Sequence, residues 1–285
     1  KVSEVHLCSF ASPDLTLSVN RFVKQSKELN FYKEIKVFRW DDLSKNKQEQ
    51  INSFINKGQK RLFGFASWKP EIILSYLNKI PTNSILQYSD IGCFFNPKGI
   101  KRLNDYVKIA QEKDILAFKY IEPDFDDKKN FKFQVYYEYQ YTKADAWAYL
   151  NIEENSPILQ SEQIWSGTMF FKNNSYARDL LNNWMEACDN NNLIDDSDSI
   201  YENHKEFYEN RHDQSALSII CKKNNIFSLS VSECEWVEFN GKRIWTHLNN
   251  YPILAKRDLK YNIIKRFIKR QSKNLKRLKK KISNS

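Results

Sequence analysis

Along the first half of the chain, short apolar runs alternate with longer stretches in which apolar positions recur every three or four residues. The short runs read as buried strands and the periodic stretches as amphipathic helices. Val5–Phe10 is the first such strand, followed by a helix over 15–29, a strand over 34–40 and a helix over 45–55. Pro70 suits the first position of another helix, whose apolar face holds Ile72, Ile73, Tyr76 and Leu77. An apolar run within 84–92 then ends on Asp90, and a helix over 97–111 and the strand Ile115–Lys119 follow. Strands alternating with helices predict a largely parallel sheet covered on both faces.

The second half is less regular. A polar, acidic loop over 123–129 precedes an aromatic stretch over 131–141 and a short helix over 143–150. A strand over 167–171 and an amphipathic helix over 175–187 follow. Residues 189–203 are rich in Asn, Asp and Ser and read as a mobile excursion, either a solvated loop or a lid. A last apolar helix begins near Ala216. There is no internal repeat.

Composition narrows the class. With 19 Phe, 15 Tyr and 7 Trp but only 6 Gly, the chain suits a compact enzyme and not a disordered or collagen-like polymer. The five cysteines are odd in number and form no CxxC pair, so neither a zinc ribbon nor a disulfide framework is indicated and a reducing compartment is the better reading. No apolar run approaches the roughly 18–20 residues that span a bilayer, and no signal-peptide pattern is visible.

The net charge of +10 is concentrated at one end: residues 256–285 hold 13 Lys or Arg and a single acid, Asp258, leaving residues 1–255 slightly acidic. In this tail Leu259, Ile263, Ile264, Phe267, Ile268, Leu275, Leu278 and Ile282 recur largely at helical spacing. A basic amphipathic helix of this kind fits an anionic membrane surface. Nucleic-acid binding is disfavoured because phosphate contacts need no apolar stripe; packing against a partner chain is the third reading. The division expected is therefore a catalytic body over 1–255 and a membrane-associating tail over 256–285.

Four segments carry candidate chemistry. In Gly64-Phe-Ala-Ser-Trp-Lys-Pro70, a helix N-terminus with Lys69 beside it suits an anion. Asp90 and Gly92 follow a strand end, where ligands of α/β sheets collect and where glycine admits close approach. Thr142-Lys-Ala-Asp145 has the form of a capping box, and Asp145 can alternatively accept sugar hydroxyls. In Arg211-His-Asp-Gln-Ser215, Asp213 either caps the next helix or takes a proton from an acceptor hydroxyl, and Gln214 can bond a sugar oxygen. His247 is able to ligate a divalent metal together with Asp90 or to bond a phosphate, whereas His6 reads as structural.

Gly64–Pro70 with Ile72-Ile-Leu74, then Leu86-Gln-Tyr-Ser-Asp-Ile-Gly-Cys93, resembles a signature of bacterial polysaccharide, capsule and lipooligosaccharide glycosyltransferases. Thr142-Lys-Ala-Asp145, Ser166-Gly-Thr-Met-Phe170 and His212-Asp-Gln-Ser215 fall in the same order as that family's elements, so the match runs from Val5 to Asn249. The resemblance implies an α/β, GT-A type fold with a Rossmann-like, mostly parallel sheet flanked by helices. It implies that Ser9, Phe10 and Ala11 border the nucleotide base and that Lys69, Arg211, Ser166 and Gly167 lie near the donor. Asp90 becomes the first acid of an Asp-x-Asp element, and His247 corresponds to a late metal-binding histidine. Asp213 and Gln214 would flank the reaction centre, with Asp213 as general base if configuration inverts and Gln214 or Asp145 stabilising the oxocarbenium-like centre if it is retained.

The second acid of Asp-x-Asp is Gly92 here. Mn²⁺ or Mg²⁺ would therefore rest on Asp90 and His247, diphosphate and water, a lean set for ions that favour several oxygens. Without metal, Lys69, His247 and Arg211 would neutralise the diphosphate. The activity implied is transfer of a sugar from a nucleotide-diphosphate donor such as a UDP-sugar to a hydroxyl of a surface glycan or lipid-linked acceptor, at the cytoplasmic face of the membrane. A non-catalytic carbohydrate- or nucleic-acid-binding protein and a metal-dependent hydrolase are the alternatives.

Overall fold

A computed structural model describes residues 4–123 and 130–256, apart from the side chains of Asp14 and Thr16. The basic tail beyond Lys256 and most of the acidic loop over 123–129 lie outside the described residues.

Ten strands are present among the described residues: β1 (Val5–Phe10), β2 (Glu34–Phe38), β3 (Ile85–Ser89), β4 (Phe94–Phe95), β5 (Ile115–Lys119), β6 (Ile164–Lys172), β7 (Ser228–Ser230), β8 (Val237–Phe239), β9 (Lys242–Ile244) and β10 (Ile253–Leu254). Six form the central sheet in the order β2-β1-β3-β6-β5-β7. Parallel pairs join β1 to β2, β1 to β3 and β5 to β7, while β6 runs antiparallel to both of its neighbours. The sheet is thus mixed α/β and mostly parallel, with one reversed strand. Two small antiparallel pairs, β4 with β10 and β8 with β9, complete the strands.

Period-two alternation feeds two cores from one sheet. Cys8, Phe10, Leu86, Tyr88, Ile115 and Ala117 face one side, and Val5, Leu7, Ile85, Leu116 and Phe118 the other. Of the helices, α1 (Thr16–Glu28), α2 (Lys45–Asn56), α3 (Leu62–Phe65), α4 (Lys69–Leu77) and α5 (Ile100–Lys113) precede residue 123. After it come α6 (Glu138–Tyr141), α7 (Ala144–Tyr149), α8 (Ser175–Asp189), α9 (Asn191–Ile194) and α10 (Asp213–Lys223). Phe22 of α1 and Leu103, Tyr106 and Ala110 of α5 cover the second face. Apolar stripes of α2, α4, α8 and α10 cover the first, with Trp184 completely buried. Among the described residues, no helix is long and apolar enough to cross a membrane.

Three local expectations change. Pro70 lies one residue inside α4, still in the first turn, where its missing N–H leaves no helical bond unmade. The capping box at 142–145 does not form: Thr142 Oγ1 donates to Glu138 instead, and Lys143 occupies the N-cap without a side-chain bond. The excursion over 189–203 is packed into the body rather than loose. Leu193 and Ile194 join the core, and Lys143 Nζ donates to Asn192 O at 2.7 Å. Its Asn, Asp and Ser side chains bond one another, as in Ser197 Oγ to Asn192 Oδ1 at 3.0 Å and Asn203 Nδ2 to Ser199 Oγ at 2.8 Å.

Gly99 ends the turn that leads into α5. A Cβ there would lie 2.2 Å from the backbone nitrogen of Pro252 and from the carbonyl carbon of Tyr251. Since neither backbone atom can rotate away, Gly99→Ala is expected to destabilise by about 1–3 kcal/mol through overpacking. Chemical denaturation of the purified variant checks this; an unchanged midpoint would mean that the 251–252 segment yields freely.

Candidate active site

The strand order reverses at β1: the chain passes from β1 to β2 on one side and returns to β3 on the other. In open α/β sheets the crevice lies beyond the carboxyl ends of strands at such a point. The reversed β6 brings its N-terminal end to the same edge. Asp90 N–H donates to Gly167 O at 2.8 Å, and Ser89 pairs with Thr168. Residues over 89–90 and 165–168 therefore meet at one rim although they lie far apart in sequence.

Lys69 occupies the centre. Its ammonium is 3.0 Å from Asp213 Oδ2 and 3.4 Å from Asp90 Oδ1, and it donates to Ser166 Oγ at 3.1 Å and to Ser166 O at 3.2 Å. The Lys69 and Asp213 side chains are only 4% and 3% exposed, whereas Asp90 is 44% open. Burial pulls the Lys69 pKa down, but the carboxylates of Asp213 and Asp90 outweigh it and hold the pKa above the ordinary lysine value. Burial pushes Asp213 above the usual carboxylate range, and the Lys69 charge opposes that push. Tyr88 OH donates to Asp90 Oδ1 at 2.6 Å. Burial, with the Asp90 charge beside it, raises the phenol well above its ordinary value and keeps the proton in place.

The turn carrying Asp90 is fixed from α1: Arg21 donates to Cys93 O at 2.6 Å and to Ile91 O at 2.7 Å. Gly92 sits in this turn without a left-handed φ. Gly167, by contrast, is obligatory, since a Cβ would come within 2.1 Å of the Trp165 ring.

An aromatic shelf adjoins the cluster. Phe10 stacks on Trp68 with ring centroids 4.0 Å apart, and Phe63 lies 6.0 Å from Phe10 and 5.6 Å from the half-buried Trp40. Ser9, Phe10 and Ala11 are themselves buried, so the open rings of this shelf are Trp40 and Phe63. The shelf is shaped by five consecutive left-handed residues, Leu62, Phe63, Gly64, Phe65 and Ala66, with φ between 47° and 81°. Such a turn costs roughly 1–2 kcal/mol per non-glycine residue. Only the glycine signals it in the sequence, and a Cβ at Gly64 would also lie 2.6 Å from Ile51 Cγ1.

Of the sequence-derived residues, Lys69, Asp90, Ser166, Gly167, Asp213 and Gln214 come together. Gln214 Oε1 accepts from Ser166 N–H at 3.4 Å. Arg211 stands over the rings of Tyr136 and Tyr141, at 4.0 and 4.9 Å from their centroids. Asp145 ties down the 189–203 segment, accepting from Asn192 Nδ2 at 2.7 Å and from Ile200 N–H at 3.0 Å. His247 has its Nε2 3.0 Å from Ser232 O and its ring 6.2 Å from that of Phe131, and burial lowers its pKa. Among the described residues, no three His, Cys, Asp or Glu side chains gather into a metal cage. Two participants were not singled out in the sequence, Tyr88 and Arg21. Tyr88 lies two residues before Asp90, at the end of the strand that leads into it, so period two already places both on one face; Arg21 carries no such signal.

No family model and no curated protein matches the chain. Among solved structures similar to it is mouse xyloside xylosyltransferase 1 in its apo form, with a TM-score of 0.41 and 9% identity, covering 81% of this chain and 87% of that one. Another is a glycosyltransferase involved in the glycosylation of the major capsid of PBCV-1, with a TM-score of 0.42 and 12% identity, covering 92% and 96% of the two chains. A likeness at this level does not carry an activity from one protein to another.

His212, between the shelf and Asp213, packs its ring 4.7 Å from that of Phe65, and its Nδ1 donates to Ile194 O at 2.6 Å. Burial, with the Arg61 charge added, lowers its pKa to about 4. The unfolded histidine takes up a proton near 6.5 and the folded one does not, so this stability is full above pH 6.5 and is lost as pH falls toward 4. Acidification from pH 7.5 to 4.5 is expected to remove about 2–3 kcal/mol through this residue. In His212→Asn, which tolerates the positive φ of 59°, thermal denaturation across the same range would lose that component. An identical slope in both proteins would assign the acid sensitivity elsewhere.

Proposed function

We propose that the protein is a glycosyltransferase that moves a sugar from a nucleotide-diphosphate donor to an acceptor hydroxyl. The observation that supports this most is the buried Lys69 ammonium clasped between Asp90 and Asp213 at the carboxyl edge of β1 and β3. An anionic donor entering this edge meets a cation whose charge is already shared by two acids. The diphosphate competes for the same ammonium, and the carboxylate it releases is the proton acceptor. Asp213 takes that role, because its burial already raises its affinity for a proton. The acceptor oxygen then attacks the anomeric carbon as the bond from that carbon to the diphosphate oxygen breaks. The acceptor's proton passes to Asp213, and the charge of the departing diphosphate is stabilised by Lys69.

In this reading Asp90, the open carboxylate, holds hydroxyls of the donor sugar. The nucleotide base lies on the shelf of Trp40 and Phe63 above Ser9, Phe10 and Ala11. A divalent ion at Asp90 would stand beside the Lys69 ammonium and be repelled by it, so the donor set does not suit a resident Mn²⁺ or Mg²⁺. Lys69 supplies the positive charge instead. Acceptors of the surface-glycan or lipid-linked class, presented at a cytoplasmic membrane face, fit the basic tail over 256–285.

A thermal-shift screen of nucleotides and sugar nucleotides with Mn²⁺ or EDTA tests the donor. One nucleoside-diphosphate class at 100 times its dissociation constant is expected to stabilise by about 2.7 kcal/mol, with or without chelator. A shift abolished by EDTA would replace Lys69 with a metal. No shift with any nucleotide, from folded protein, would favour a carbohydrate-binding role. Asp213→Asn is expected to lower transfer by about 10²–10⁴-fold and leave the nucleotide shift in place. Release of free sugar without need of an acceptor would mark a hydrolase.

For the tail, replacing Lys279, Lys280 and Lys281 by Glu reverses three charges, each worth about 1 kcal/mol at an anionic surface. Cosedimentation with phosphatidylserine vesicles is expected to fall at least about tenfold, while neutral vesicles show no difference.

A further inference from the structure

A second buried carboxylate, Glu138 at the start of α6, stands behind the site. It is fully buried and pairs with Lys222 of α10, Nζ to Oε1 at 2.8 Å. Ser218 Oγ also donates to Oε1, and Thr142 Oγ1 donates to Oε2 at 2.6 Å. Gln163, also fully buried, donates from Nε2 to Glu138 Oε2 at 3.0 Å and to Tyr141 O at 3.2 Å.

These contacts settle which way each amide points. A carboxylate and a backbone carbonyl only accept, so Gln163 must present its NH₂ to Glu138 and Tyr141 and its Oε1 to the opposite side. There Gln214 Nε2 donates to Gln163 Oε1 at 2.8 Å, which turns Gln214 Oε1 toward Ser166 N–H at 3.4 Å. Ser166 in turn receives Lys69 on both its carbonyl and its hydroxyl. A single directional chain thus runs Glu138, Gln163, Gln214, Ser166, Lys69. Reversing one amide in it would set donor against donor or acceptor against acceptor.

We propose that Glu138, held by Lys222, is a positioning residue that acts through Gln163 to orient the Gln214 amide and thereby seat Ser166 under the Lys69 ammonium. Its bearing on turnover rests on the transferase reading above; the orientation itself does not.

Gln163→Met tests the relay while leaving the Glu138–Lys222 pair intact. In protein carrying ¹⁵N-labelled glutamine, the Gln214 side-chain amide is assigned by its loss in Gln214→Ala. In the unaltered chain its exchange with solvent is expected to be slow; in Gln163→Met it should accelerate by at least about tenfold. An unchanged Gln214 exchange rate would overturn the proposal. Glu138→Gln, which removes the acceptor-only group, should give a doubled or broadened Gln214 resonance. If that variant does not fold, Gln163→Met still decides.

The functional arm follows transfer of sugar from the donor identified by the thermal-shift screen to an alkyl glycoside acceptor. Gln163→Met is expected to lower kcat about tenfold with donor KM within about twofold, and to have no further effect in the Gln214→Ala background. Equal losses in both backgrounds would mean that Gln163 does not act through Gln214. If the unaltered protein binds no sugar nucleotide, the transferase reading fails while the exchange result still judges the orientation.

Discussion

A lysine ammonium taken out of water is unfavourable unless acceptors surround it, and that constraint governs the rim of this sheet. Lys69 has two carboxylates and both oxygens of Ser166 within reach. Removing the buried partner, Asp213, leaves the ammonium undercompensated, a change of about 3–5 kcal/mol in comparable buried pairs. The four elements that deliver these groups, α4, β3 with its following turn, β6 and α10, are thereby fixed relative to one another. The first turn of α4 brings the lysine, the end of β3 an exposed acid, and the first turn of α10 a buried one. The two acids differ in solvent access while sharing one cation. Burial raises the proton affinity of Asp213, and the Lys69 charge beside it opposes that rise.

Much of this was legible in the sequence because it depends on local pattern. Short apolar runs marked β1, β3 and β5 close to their observed bounds, and strand ends marked Asp90 as a crevice residue. Motif order brought Lys69, Asp90, Ser166 and Asp213 to one place. What the sequence concealed depends on direction and on partners distant along the chain. A hydrophobic run reads the same whether its strand runs parallel or antiparallel, so nothing in 164–172 announced that β6 is reversed. Asp145 matched a capping pattern, yet its oxygens are claimed by Asn192 and Ile200 across the fold. The polar run at 189–203 suggested solvation because its side chains bond one another, and composition does not distinguish a partner from water. Glu138 left one trace, a charge inside an aromatic stretch, which is more typical of a paired buried group than of a solvated one.

The polar interior behind the rim has a structural role that the apolar cores do not supply. Val, Leu and Phe side chains fix volume but tolerate small rotations, whereas amides and carboxylates fix orientation, since a misdirected donor has no second choice in a dry environment. The relay from Glu138 to Ser166 lies between α6, β6 and α10. The start of α10 is held besides by Trp184, whose Nε1 donates to Asp213 O at 2.9 Å.

The left-handed turn over 62–66 places an evolutionary conflict beside the crevice. Four of its five residues carry side chains that disfavour the backbone they adopt, so glycines there would relax the strain, and mutations that gain stability are usually easy to find. The same side chains provide Phe63 on the shelf and Phe65 against His212. Selection for a sturdier protein and selection for this aromatic surface therefore act in opposite directions on one short segment. Thermally hardened descendants would be expected to change that segment last.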